Sequence, residues 1–73
     1  PNPFEEEARI TIKGTEVHKG NMQLYNAQGR LVKTIPFKRN EFVLPAKSLP
    51  KGIYFFQVMV NDSGYGSGRL VVQ

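Results

Sequence analysis

The stretch from Leu49 to Val60, LPKGIYFFQVMV, limits what this chain can fold into more than any other part of it. It joins a turn signal to the densest apolar run, so it reads as a turn feeding a buried strand. Gly52 followed two positions later by Tyr54 has the local form of a tyrosine corner, in which the hydroxyl bonds back to upstream backbone. Alternation sorts Tyr54, Phe56, Val58 and Val60 onto one face and Ile53, Phe55, Gln57 and Met59 onto the other. With Gln57 alone polar, neither face is expected to be fully wet. The strand therefore belongs in the middle of its sheet, with Tyr54 and Phe56 holding two sheets together. Its second face is left for loops, a neighbouring domain or a partner.

The other segments carry the same period. Pro1-Asn2-Pro3-Phe4 reads as an extended entry clip anchored by Phe4, because each proline removes a donor and restricts the residue before it. Glu5-Glu6-Glu7 reads as a solvated strand entrance. Ala8, Ile10 and Ile12 share a dry face, and Lys13-Gly14-Thr15-Glu16 breaks that strand. Val17 to Gly20 suggests a short edge piece carrying an exposed His18. Met22 and Leu24 point inward from the segment Asn21 to Ala27. Ala27-Gln28-Gly29 makes a tight connection in which Gly29 supplies a positive φ. Arg30 to Phe37 returns as its hairpin partner, and Pro36 confines that end to an edge or an exit. After the polar turn Lys38-Arg39-Asn40, Glu41 to Ala46 supplies Phe42 and Leu44 to the core. Asn61-Asp62-Ser63-Gly64 forms the last hairpin turn, and Tyr65 to Gln73 the final strand, with Leu70 and Val72 on one face and Val71 on the other.

Six to seven short strands at regular spacing, without helical periodicity, predict an all-β fold. An immunoglobulin-like antiparallel β-sandwich fits best, with a small open barrel as the structural alternative. The 73 residues make one domain, and a chain of that length buries only about 60% of the surface its unfolded form exposes. With no cysteine, neither disulfides nor thiolate metal ligation can supplement that core. The start at Pro1, without an initiator Met, suggests a fragment of a longer precursor, so that a targeting segment would lie upstream.

Chemistry is sparse. His18 is the sole imidazole, which excludes a His-based nucleophile pair or a multi-His metal site within the chain. Ser48, Ser63 and Ser67 sit in turn-like contexts where hydroxyls bond local backbone. Asn61-Asp62-Ser63-Gly64 offers one carboxylate, too few for a calcium site. Gly64, Gly66 and Gly68 lack the following helix that a phosphate loop needs and read as turn and strand-edge positions. No cofactor and no enzymatic activity are expected. The net charge of +4 comes from dispersed basic residues, unlike the clustered stripe of a nucleic-acid surface. It leaves an anionic partner open.

Taken in order and spacing, "PNPF", "LYNAQGRLVKT", "LPKGIYFFQV" and "GSGRLVVQ" resemble the C-terminal sorting domain, type A, of cargo exported by the type IX secretion system of Bacteroidetes. The resemblance spans essentially the whole chain. It implies an immunoglobulin-like sandwich at the C-terminus of a larger secreted protein. It also implies an address: cargo folds in the periplasm and passes through an outer-membrane translocon. A surface sortase then removes the domain in the linker before Pro1, joining the cargo to anionic lipopolysaccharide or releasing it. The implied partners are the translocon, a shuttle protein, the sortase and the upstream cargo domain. Exposed strand edges leave room for a dimer. By the same resemblance, recognition falls on Gly68, Arg69, Leu70, Val71, Val72 and Gln73. Pro1, Asn2, Pro3, Phe4, Gly29, Arg30, Leu49, Pro50, Gly52 and Tyr54 form the structural motifs. Arg69 stands where the family usually carries Lys, which keeps charge but changes donor geometry. Gln73 stands where another basic residue is common, which makes the tail less basic.

Two other classes fit an immunoglobulin-like domain. A retained adhesion or carbohydrate-binding module would expose aromatic residues, with Tyr25, Phe37, Phe55 and Tyr65 as candidates. An accessory module would hold a neighbouring enzyme domain through Ile53, Phe55 and Met59.

Overall fold

In the computed structural model, which describes residues 7–73, the apolar run becomes β5 (Gly52–Val60), flanked on both sides by paired strands. The other strands are β1 (Ala8–Thr11), β2 (Gly20–Tyr25), β3 (Leu31–Phe37), β4 (Glu41–Leu44) and β6 (Ser63–Val72). All pairings are antiparallel, and they form a two-stranded sheet β1-β4 and a four-stranded sheet β3-β2-β5-β6. This is an all-β architecture of two sheets, consistent with an immunoglobulin-like sandwich. The entry clip Pro1-Asn2-Pro3-Phe4 and Glu5-Glu6 lie outside the described residues.

Burial follows the period-2 pattern. Tyr54, Val58 and Val60 of β5 are buried, as are Met22 and Leu24 of β2, Leu44 of β4 and Val72 of β6. Ile12 and Val17 close the core from the segment between β1 and β2. The tyrosine corner forms as the spacing predicts: the Tyr54 hydroxyl donates to the Pro50 carbonyl at 2.6 Å. Gly52, at φ 152, and Gly29, at φ 83, occupy backbone conformations that side-chain-bearing residues rarely adopt.

The aromatic contact between sheets differs from expectation. Phe56 is half-buried, and its ring lies over Gly68 of the adjacent strand in the same sheet. The inter-sheet stack is instead Phe37 of β3 on Phe42 of β4, with ring centroids 4.0 Å apart and planes 4° from parallel. Phe37 fits because Gly20, opposite it on β2, has no side chain; a Cβ there would lie 2.5 Å from the ring. Phe37 is thus a core residue, not an exposed aromatic.

Residues 13–19, which carry the chain from one sheet to the other, form no edge strand. Val17 is buried, and His18 is exposed in a bend. Side chains from two distant turns supply the hydrogen bonds a strand partner would have given. Asn40 accepts from the Val17 N–H and donates to the carbonyls of Ile12 and Thr15. Asn61 accepts from the N–H groups of His18 and Lys19 and donates to the Glu16 carbonyl. Tyr65 adds a third fastening, its hydroxyl accepting from the Lys13 N–H at 2.9 Å and donating to the Lys13 carbonyl at 2.7 Å.

Candidate recognition surface

Strand β6 lies at one edge of the four-stranded sheet and β3 at the other. The two edges are not equivalent. Pro36 removes a backbone donor from β3, whereas β6 contains no proline and extends over ten residues. An edge of that kind presents unpaired N–H and C=O groups to an added strand.

The hairpin that launches β6 is local in origin. Asn61 and Asp62 sit at φ 51 and 69, the positive values at both central positions that a two-residue type I′ turn demands. The turn sets the register Val60↔Ser63, and a shift between Val58 and Met59 then inserts one residue before Gly66↔Val58. Beyond it the pairs run Phe56↔Gly68, Phe55↔Arg69, Tyr54↔Leu70, Ile53↔Val71 and Gly52↔Val72. Opposed residues in an antiparallel ladder share a face. Leu70 and Val72 therefore join Tyr54 on the core side, where Val72 is 5% exposed. Arg69 and Val71 join Phe55 and Ile53 on the outer side.

The residues expected to carry recognition thus divide in two. Leu70 and Val72 support the fold, Gly68 accommodates Phe56, and Arg69 and Val71 face solvent. Ser67 lies within β6, opposite Gln57, and not in a turn. A test of Gly68 follows from its surroundings. A Cβ at Gly68 would lie 2.7 Å from the tip of the Phe56 ring, whereas one at Gly66 would meet nothing within 4 Å. Gly68→Ala should lower stability in urea unfolding by about 1 to 2 kcal/mol, the usual cost of crowding a packed contact. Gly66→Ala should be neutral or slightly stabilising.

Among the described residues no three His, Cys, Asp or Glu side chains come together in a group that could hold a metal ion. The ion pairs found there, Arg9–Glu41 at 3.3 Å and Lys19–Asp62 at 3.1 Å, are both solvent-exposed. Of the four aromatics that an adhesive face would use, Phe37 is buried and Tyr65 spends its hydroxyl on Lys13. Tyr25 and Phe55 remain on the outer face.

A family model described as "secretion system C-terminal sorting domain" matches residues 1–73, the whole chain. The chain belongs to that family. A search of curated proteins finds no match. The sorting domain serves type IX secretion, and membership implies interaction with that machinery and with an upstream cargo domain. It also implies passage to the outer membrane, the cell surface or the medium. A sorting-signal family is not an enzyme family.

The motifs "LYNAQGRL" and "LPKGIY" of the sorting domain have clear structural work. The first is the β2–β3 hairpin, in which the Asn26 side chain accepts from the N–H groups of Gln28 and Arg30. The second is the tyrosine corner. Asn40 and Asn61 escaped sequence reasoning because their partners lie 23 to 45 residues away in the chain.

Proposed function

We propose that the domain directs the protein bearing it through the outer membrane by offering the type IX machinery a folded sandwich with an accessible edge strand. The observation that carries this reading is the position of β6, an edge strand without proline whose outward side chains include Arg69 and Val71. Main-chain pairing along such an edge gives affinity, and alternate side chains give selectivity. A shuttle protein or the translocon is the reader, through Gly68 to Gln73. After passage, a surface sortase cuts in a linker before Pro1 and joins the cargo to anionic lipopolysaccharide or releases it. The sandwich is then a removable address and takes no part in the cargo's activity.

The test is transplantation. Residues 1–73 are fused behind a periplasmic reporter with a Sec signal and expressed in a host that has the type IX system. The reporter should reach the surface or the medium and lose about 8.3 kDa on processing. The same reporter without the domain should stay in the periplasm, as should the fusion lacking Leu70–Gln73. Because Val72 is a core residue, circular dichroism must show that the truncated domain keeps its β structure. Retention of the full fusion inside the cell, or normal export of a folded truncation, overturns the reading.

A further inference from the structure

The outer face of the four-stranded sheet carries a row of side chains from all four strands. Tyr25 of β2 pairs with Leu31 of β3 on one side and with Phe55 of β5 on the other, and Phe55 pairs with Arg69 of β6. The hydrogen bond from the Tyr25 hydroxyl to Gln23 Oε1 ties it to the next outward residue of its strand. Immediately beyond the row lie Ile53 and Val71, paired with each other. Leu31, Ile53, Phe55 and Val71 are 43 to 49% exposed, a contiguous apolar group at one end of this face; Met59 and Pro36, also on it, lie at the other end, opposite Asn21. One register step inward, the outer positions are the polar Gln23, Gln57 and Ser67.

Among the described side chains, charge around this group has one sign. Arg69 stands in the row, Arg30 precedes Leu31, and Lys51 precedes Gly52 at the start of β5. The described carboxylates lie elsewhere. Glu7 precedes β1 of the other sheet, Glu16 is in the segment between β1 and β2, Glu41 pairs with Arg9, and Asp62 with Lys19. Among the described residues, none of the three cations has a carboxylate partner.

We propose that this patch, Leu31, Tyr25, Phe55, Arg69, Ile53 and Val71, is a second half of the recognition surface, and that its occupant is a protein of the export machinery presenting an apolar surface rimmed by carboxylates. The proposal rests on the sorting reading above. An apolar centre with a charged rim is the usual anatomy of a protein interface, and a cationic rim selects an acidic partner. Arg69 and Val71 belong to the edge strand itself, so the patch is continuous with a β6 edge that has no strand partner among the described residues. Only another polypeptide can satisfy that backbone with a ladder of hydrogen bonds. This favours a protein over an anionic lipid surface, which would match the charge and the apolar centre alone. Sequence selectivity then does not reside in the last strand alone. It extends to β2, β3 and β5, far from Gly68 to Gln73 in the chain.

The test uses the reporter fusion with two sets of outer-face variants. The first, Leu31→Thr with Phe55→Thr, alters β3 and β5 and leaves the sequence of β6 unchanged. The second, Ile53→Thr with Val71→Thr, keeps β-branched shape and strand propensity, so that a folded variant is secured if the first set unfolds. Each domain is checked by its urea midpoint and by sedimentation with vesicles of phosphatidylcholine containing phosphatidylglycerol. Folded variants exported at least about tenfold less than the parent, the effect of losing an interface hot spot, with no vesicle binding by the parent, support the proposal. Arg69→Glu should reduce export similarly, by setting a carboxylate against the acidic rim. Full export of a folded set overturns the proposal while leaving the sorting reading intact, since the parent fusion is still exported. Vesicle binding by the parent that the variants lose also overturns it, in favour of a lipid occupant.

Discussion

Replacing Tyr54 by alanine is expected to destabilise the domain by about 3 to 5 kcal/mol, the range for truncating a buried large aromatic side chain. The side chain is 5% exposed and faces the core from the central strand β5, so little rearrangement is available to fill the space. Seventy-three residues at the usual ~0.05 to 0.15 kcal/mol per residue give a total of only roughly 4 to 11 kcal/mol. The variant should therefore lose between about a quarter and all of that stability, and be largely unfolded if the parent lies at the low end of the range. Tyr54→Phe separates the two contributions of this residue. It keeps the ring and loses only the bond to Pro50, worth about 0.5 to 1.5 kcal/mol. Urea unfolding of both variants checks the division. A loss below about 1 kcal/mol for the alanine variant would contradict the burial of the ring.

The corner also illustrates which features are legible in the sequence. Gly52, Tyr54 and the turn before them lie within a few residues of one another, and local spacing encodes their geometry. The same holds for the tight connection at Ala27 to Gly29, for the last hairpin turn, which the sequence puts at Asn61 to Gly64 and the structure narrows to Asn61-Asp62 because Ser63 and Gly64 already pair within β6, and for the inward set Met22, Leu24, Val58 and Val72. Phe37 shows where that reasoning ends. Its place beside Pro36 near a polar turn suggests exposure, yet its burial depends on the missing side chain of Gly20 and on the ring of Phe42 across the sheets. Gly20 carries no such mark, and the alternation that turns Phe42 and Leu44 inward does not say that Phe42 meets Phe37. The recognition residues show a related limit. Alternation separates Leu70 and Val72 from Val71, but only the strand order reveals that Arg69 and Val71 adjoin Phe55, Tyr25 and Leu31.

The segment 13–19 is where non-local chemistry replaces periodicity, and the second large effect is expected there. Asn61→Gly should cost about 2 to 3 kcal/mol. Glycine tolerates the φ of 51, so the change reports chiefly the loss of the side-chain bonds to His18, Lys19 and Glu16, each worth about 0.5 to 1.5 kcal/mol and less where water replaces it. Asn61→Ala loses the same bonds but keeps the Cβ that Asn61 already holds in the left-handed region, a strain that glycine is spared, so it should cost about 1 to 2 kcal/mol more than the glycine variant. Asn40→Ala, which releases Val17, Ile12 and Thr15, should resemble the glycine variant. These two asparagines hold successive parts of one connection, and Val17 between them is buried. Losing either frees residues that the other had fixed, so part of the second loss is already incurred with the first. The double variant Asn40→Ala/Asn61→Gly should therefore cost less than the sum of the single changes, by about 0.5 kcal/mol or more. Strict additivity in urea unfolding would mean that the two ends of the connection are held independently, and that Val17 stays buried without either asparagine.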